Sequence, residues 1–271
     1  MRKFTEITQV ELKSASEQVG SALSDFRRNE IGSNSDWFGS YVQAKKNNFC
    51  RQVALIEKLA LQFSSDCVSI ADFGAAPFVT AKALTYSQRP NRIVTALDID
   101  PFRFENIKNI GVKLQQCDLD DVNSLAKLND SAFDIVFLSH IFEHLRIDLL
   151  GTLNGVYRAM APGGLLYVET PNVLSLMGWY RIFLKRTMYG CAGSVVHEWN
   201  KLKTHGHMGH VREYTSTELC QLLVFSGFEI VSVEHCGLLE PKTVFHRVAR
   251  AAQRAFPSLK NNVAVIARRE N

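Results

Sequence analysis

Short apolar runs that alternate with segments of helical texture constrain this 271-residue chain more than any other feature. CVSIADF, RIVTALDI, VKLQQCDL, FDIVFLS and GLLYVET follow one another between residues 67 and 170. Each is rich in Val, Ile or Leu and partly continuous, as strands buried on both faces are. VTAKALTY, PFRFENIKNI, DVNSLAKL and LLGTLNGVYRAMA lie between them and suit helices. That alternation predicts βαβ units with right-handed crossovers, hence a doubly wound, mostly parallel sheet covered on both faces.

The flanks read differently. Residues 1–35 are polar and Ser/Asn-rich and read as a mobile or loosely packed lead-in. From Trp37 to Phe63, Phe49, Val53, Ile56, Leu59 and Leu61 recur at roughly helical spacing. After Pro171 the alternation stops for about 45 residues: VLSLMGWYRIFLKRTMYG is apolar, aromatic and basic, and a His-rich loop, THGHMGHVREYT, follows. A helix capped by Thr215 or Ser216, with Glu218 in its first turn, then leads through Gly227 to the strand FEIVSVE. A basic amphipathic helix, VFHRVARAAQRAF, precedes a last strand, NVAVIARR. The expected organisation is a helical extension over 1–66 and a main domain over 67–271, with a helical lid insert at 171–215.

Composition narrows the class. The chain is 46% hydrophobic and 21% charged, which is globular, and its net charge of +4 is too small to imply nucleic acid. Six cysteines (50, 67, 117, 191, 220, 236) show no CxxC spacing and read as thiols of a reducing compartment. The start lacks the apolar core of a secretory signal, and no stretch reaches 18 apolar residues. The expected address is the cytoplasm.

The turn after the first run is Asp72-Phe73-Gly74-Ala75-Ala76-Pro77-Phe78. Gly74 stands at its tightest point, Ala75 and Ala76 keep it small, and Pro77 suits the first position of the next helix. It lacks the GxGxxG spacing of pyrophosphate binders, so it favours a nucleoside cofactor without a pyrophosphate over NAD. The second run ends at Asp98, placed to accept from ribose hydroxyls, with Asp100 just beyond as the cap of a helix starting at Pro101. Asp118, after the third run, can accept from the exocyclic amine of a base. Further on, His140, Glu143 and His144 stand at i, i+3 and i+4 and would share one face of a helix. With a later histidine they would suit a divalent transition metal.

With ADFGAAP, TALDIDP, QQCDLDD, FDIVFLSHIFEHL, RAMAPGGLLYVETPN and HVREYTSTELCQLLVFSGFEIV, residues 50–235 resemble class I S-adenosylmethionine-dependent methyltransferases. The resemblance implies a Rossmann-like seven-stranded sheet with an antiparallel last strand. It implies S-adenosylmethionine as cofactor, with Asp72 in the first motif and the methionine part over Gly74 and Ala75. The ribose would meet Asp98, with Ile99 against the adenine; Asp118 would hold the adenine amine with Leu119 beside it; Ser139 and His140 would close the sulfonium end. Ala76 and Phe78 stand where family members commonly carry glycine, so Phe78 is expected to crowd the pocket floor.

Ubiquinone-type O-methyltransferases and small-RNA 2′-O-methyltransferases carry a similar His/Glu arrangement that binds a divalent ion. Here Glu143, His144 and His210 match it, and His140 replaces a Glu. Either a metal on His140, Glu143, His144 and His210 is expected, or general-base work by His144 or His210 beside Glu143. Trp179, Tyr180, Phe183 and Trp199 offer an aromatic platform; Arg181, Lys185, Arg186, Lys201 and Lys203 offer charge for an acidic or phosphorylated acceptor. The insert and tail resemble in texture the methyltransferases of surface-polysaccharide synthesis. The expected reaction is O-methylation of a sugar, glycan or small-molecule hydroxyl, its acceptor lipid-linked if the basic helices touch the inner face of a membrane. The rival readings are a non-catalytic methyltransferase-like scaffold and an RNA 2′-O-methyltransferase; oligomeric state is left open.

Overall fold

The computed structural model describes residues 7–33, 38–87, 92–104, 106–187, 196, 200, 209–239 and 243–270. Seven strands form one sheet in the order β3-β2-β1-β4-β5-β7-β6. They are β1 (Val68–Phe73), β2 (Arg92–Asp98), β3 (Lys113–Gln116), β4 (Phe133–Ser139), β5 (Met160–Pro171), β6 (Phe228–Cys236) and β7 (Asn262–Arg269). β1 pairs parallel with β2 and β2 with β3, whereas β7 runs antiparallel to β6. Ile70, Ala71, Leu97, Ile135, Val136 and Val168 are buried, which is why these strands read as continuous apolar runs. The mixed, Rossmann-like sheet is the one the resemblance implies.

The helices are α1 (Gln9–Arg28), α2 (Phe38–Ala60), α3 (Val79–Leu84), α4 (Val122–Ala126), α5 (Leu149–Ala159), α6 (Leu176–Tyr180), α7 (Ser216–Phe225) and α8 (Val244–Ala255). By density of contacts the chain divides into two units, Met1–Phe137 with Arg158–Leu165, and Leu138–Tyr157 with Leu166–Glu270.

In the first unit α1 corrects the expected polar lead-in. Thr8 and Glu11 form a reciprocal capping box, and Ala15, Val19, Ala22 and Phe26 bury one stripe of the helix. Asp25, near its end, takes Lys82 Nζ at 3.0 Å and the Tyr86 hydroxyl, tying α1 to α3. Phe26 meets Phe38, Phe38 meets Phe104, and Phe104 meets Phe78.

Two local expectations also fail. No helix starts at Pro101: a 3-10 turn over Ile107–Ile110 follows Asn106, whose φ of 60° takes it out of right-handed helix. Pro77 is not the first helical residue either, since Phe78 is the N-cap of α3, itself at φ 64°.

In the second unit Thr215 caps α7 with Glu218 in a second capping box, and Gly227 turns the chain into β6 as its sequence suggests. α6 opens at Ser175, whose Oγ accepts from Gly178 N, and passes into a π-turn over Arg181–Lys185. A Cβ at Gly178 would come within 1.9 Å of the Val173 carbonyl oxygen, so glycine alone allows that approach. Trp199, Lys201, Lys203, His205 and His207 lie outside the described residues.

Candidate active site

The first unit carries the residues of nucleoside-binding type. β1 delivers Asp72 and Phe73 into a turn where Gly74 has φ 68°, a conformation that favours glycine. The Gly74 and Ala75 amides both donate to the Leu97 carbonyl, at 2.7 and 3.1 Å, folding the loop onto the end of β2. Asp98, next in chain, is buried; its Oδ2 accepts from Ala76 N at 3.1 Å and its Oδ1 from Asp100 N at 3.1 Å and from the Arg103 guanidinium. Three donors leave a carboxylate with acceptor capacity for one more. Asp100 thus supports Asp98 instead of capping a helix.

Burial, and then the Asp98 charge beside it, push the Asp72 carboxyl well above the usual carboxylate range. Asp118 is half-buried and accepts from Asp120 N at 2.9 Å, Leu119 is buried, and Ile99 is exposed. The Phe78 ring is fully buried against Phe104, taken up by the aromatic cluster of this unit. A positive-φ glycine, small neighbours and a carboxylate with spare acceptor capacity at the end of β2 fit S-adenosylmethionine.

The second unit carries a cluster of ionisable groups. Half-buried Ser139 ends β4, and His140 follows at φ 56°, uncommon for a residue with a side chain. Its amide donates to the Glu169 carbonyl at 2.8 Å. The expected helix over 140–144 is instead a 3-10 turn of three residues, Phe142–His144. His140 and Glu143 still meet, Nδ1 to Oε1 at 3.3 Å, but His144 turns to His210, the ring centroids 5.2 Å apart.

Glu143 is almost wholly buried. Its Oε2 accepts from the Thr170 hydroxyl at 2.9 Å, and its Oε1 faces His140 Nδ1 at 3.3 Å. Burial works to raise its pKa, but the His140 hydrogen bond and the His140, His144 and His210 charges hold it below the ordinary value. His144 Nδ1 lies 3.1 Å from the Gly209 carbonyl, and His210 Nδ1 3.1 Å from Glu213 Oε1. A carbonyl only accepts, so His144 Nδ1 donates and its basic nitrogen is Nε2. His210 Nε2 lies 3.8 Å from Glu143 Oε1.

Beyond His210, Glu213 binds the Arg181 guanidinium. Beyond His140, Glu169 accepts from the Tyr167 hydroxyl at 2.5 Å and from Asn262 Nδ2 at 2.8 Å. One chain of alternating carboxylates and imidazoles thus runs from Arg181 through Glu213, His210, Glu143 and His140 to Glu169. Glu169, Glu213 and Asn262 were not among the residues expected from sequence, and Arg181, expected to offer charge to an acceptor, is instead paired with Glu213. Only Glu213, three residues after His210, left a spacing signal.

Glu143, His144 and His210 present ligand atoms all within 4.8 Å of one another. His140 is not in that group and stands between Glu143 and Glu169. Two imidazoles anchored through Nδ1 beside a buried carboxylate are a donor set that fits a divalent ion.

A family model for the methyltransferase domain matches residues 32–233. The chain belongs to that family. The methyltransferase superposes on solved S-adenosylmethionine-dependent relatives at low identity. One from Archaeoglobus fulgidus is 18% identical at TM-score 0.55, over 86% of this chain and all (100%) of that one. One from Thermotoga maritima is 15% identical at TM-score 0.54, over 90% and 98%. The CurJ carbon methyltransferase is 14% identical at TM-score 0.54, over 97% of this chain and 68% of that one. These likenesses establish the fold, not the acceptor, and no curated protein matches. No helix among the described residues is long and apolar enough to cross a membrane.

Proposed function

We propose that this methyltransferase transfers the methyl group of S-adenosylmethionine to a hydroxyl of a sugar, glycan or related small molecule. One observation carries the reading: Glu143, His144 and His210 converge, with each imidazole anchored at Nδ1. A neutral amine attacks with its own lone pair, whereas an alcohol needs its proton taken as it attacks.

The cofactor, when bound, supplies an electrophilic methyl on a sulfonium. Asp98 would accept from a ribose hydroxyl, Ile99 and Leu119 would flank the adenine, and Asp118 would accept from its amine. Gly74 and Ala75 would give backbone to the methionine part with Asp72 beneath the turn, and Ser139 and His140 would serve the sulfonium end.

His210 Nε2 takes the acceptor proton. The imidazolium that results is held by Glu213 at Nδ1 and faced by Glu143 across 3.8 Å. The second reading places a divalent ion on Glu143, His144 and His210, where it would lower the pKa of the acceptor hydroxyl. The buried Glu143 carboxylate, with ligand atoms of His144 and His210 within 4.8 Å, favours it.

The test uses labelled S-adenosylmethionine with a panel of sugars and phenols, and protein purified without a histidine tag. His210→Ala should lower O-methyl transfer by about 10²-fold or more. Product methylated on carbon or nitrogen, or full activity in His210→Ala, would sink the reading. Elemental analysis, with loss of activity in chelator restored by Mn²⁺ or Zn²⁺, selects the metal form.

A further inference from the structure

Among its described side chains, α8 is buried along one face. Ala249 and Gln253 are buried, and Gln253 donates to the Leu259 carbonyl and to Asn261 Oδ1, both at 3.0 Å. The opposite face is left to solvent although much of it is apolar. Val244 is 75% and Val248 65% exposed, and Phe256, just past the helix, is 62% exposed. At about 3.6 residues per turn, Val244, Val248, Ala251 and Ala255 form a single strip. Arg247 and Arg254 lie exposed along one edge of it, with half-buried Arg250 behind them donating to the Leu239 carbonyl at 3.4 Å.

A second segment of the same texture starts beside the end of α8. Asn172 Nδ2 donates to the carbonyls of Ser258 at 2.8 Å and Lys260 at 3.0 Å, and Asn172 N to that of Asn261 at 2.8 Å. Three residues later Ser175 opens α6, whose continuation exposes Trp179, Phe183 and Leu184 ahead of Lys185 and Arg186. Trp179 and Phe183 stack with centroids 5.1 Å apart. No Asp or Glu occurs in 172–187 or in 243–262.

We infer that the outward face of α8, together with the aromatic end of α6, is a docking surface for an anionic lipid membrane. The chemistry is that of a helix lying in the interface: aliphatic and aromatic side chains enter the headgroup–acyl boundary while arginines stay with the phosphates. The charge pattern selects the occupant. A second copy docked on this strip would bring two sets of arginines together without a carboxylate in either segment to offset them. An anionic surface neutralises all of them. The inference goes beyond the proposed reaction and depends on neither acceptor nor base; if both hold, the acceptor is presented at a lipid surface.

The full chain is incubated with phosphatidylcholine vesicles with and without 30 mol% phosphatidylglycerol, and bound protein is measured by sedimentation. Binding is expected with the anionic vesicles alone and should fall steeply between about 0.05 and 0.5 M salt as the Debye length shortens. Each arginine that meets the anionic surface contributes roughly fivefold. Val244→Asp/Val248→Asp and Arg247→Glu/Arg254→Glu should each weaken partitioning by about tenfold or more. All four positions are solvent-facing, so the melting temperature and binding of S-adenosylhomocysteine should stay at wild-type values, which separates this test from that of the reaction. No binding to anionic vesicles, equal binding to neutral ones, or wild-type binding by both variants would overturn the inference. So would a dimer in sedimentation velocity that the same substitutions dissolve.

Discussion

At His210 the two nitrogens of one ring have opposite surroundings, and Glu213 makes the difference. Its carboxylate lies 3.1 Å from Nδ1 and is itself held by Arg181, so the ring is pinned with Nε2 toward Glu143. Glu213→Gln keeps the shape but removes the charge that balances an imidazolium and leaves Arg181 without its carboxylate. Losing a partner of this outer kind typically costs 10–100-fold. Methyl transfer in a single turnover should therefore fall by about that factor, with S-adenosylhomocysteine affinity unchanged. The nitrogen-15 shifts of His210 should at the same time lose the single-tautomer pattern. A variant with both wild-type turnover and wild-type shifts would remove Glu213 from the chemistry. Glu143 and His144 were legible because they stand with His140 at the end of a strand, and His210 through its match to the downstream histidine of the families this segment resembles. Glu169 was not, because a glutamate inside the run LYVET carries no periodic signal that it will face His140 rather than solvent.

Among the elements, α1 is the instructive failure. Its buried stripe is Ala15, Val19, Ala22 and Phe26, at helical spacing but made half of alanine and set among Ser, Gln and Lys. Small residues bury little area, so the pattern fades against the polar background. The capping pair Thr8 and Glu11 was the better signal, because it depends on position and not on hydrophobicity. Two substitutions measure how much the helix matters. Thr8→Ala should cost about 1 kcal/mol and Phe26→Ala about 3–5 kcal/mol. At about 2–4 °C per kcal/mol, that is a few degrees for the cap and roughly 6–20 °C for the ring. Unchanged melting in Phe26→Ala would mean that α1 is an appendage. The strands of the sheet were legible for the opposite reason: buried on both faces, they cannot avoid reading as Val/Ile/Leu runs.

For the whole molecule, a sheet of seven strands with the last antiparallel was legible only through family resemblance, and the strand order was not. Local pattern does not say that β7 inserts between β5 and β6, because strand order is set by pairing between segments far apart in sequence. What remains for the whole chain is whether it holds its donor, since a scaffold would share this sheet. A ligand that binds only the folded state stabilises it by RT ln(1 + [L]/Kd), about 2.7 kcal/mol at a hundredfold excess over Kd. S-adenosylhomocysteine at that excess should raise the melting temperature by roughly 5–10 °C, in proportion to the logarithm of its concentration. Asp98→Ala should abolish the shift by removing the acceptor proposed for the ribose hydroxyls. Arg103→Ala should change its size, because Arg103 shares that carboxylate. His210→Ala should leave it intact, since His210 is assigned to the acceptor proton and not to the donor. No shift in the wild type at millimolar ligand would leave the fold standing and take the chemistry away, whereas a shift that survives Asp98→Ala would move the ribose to another residue.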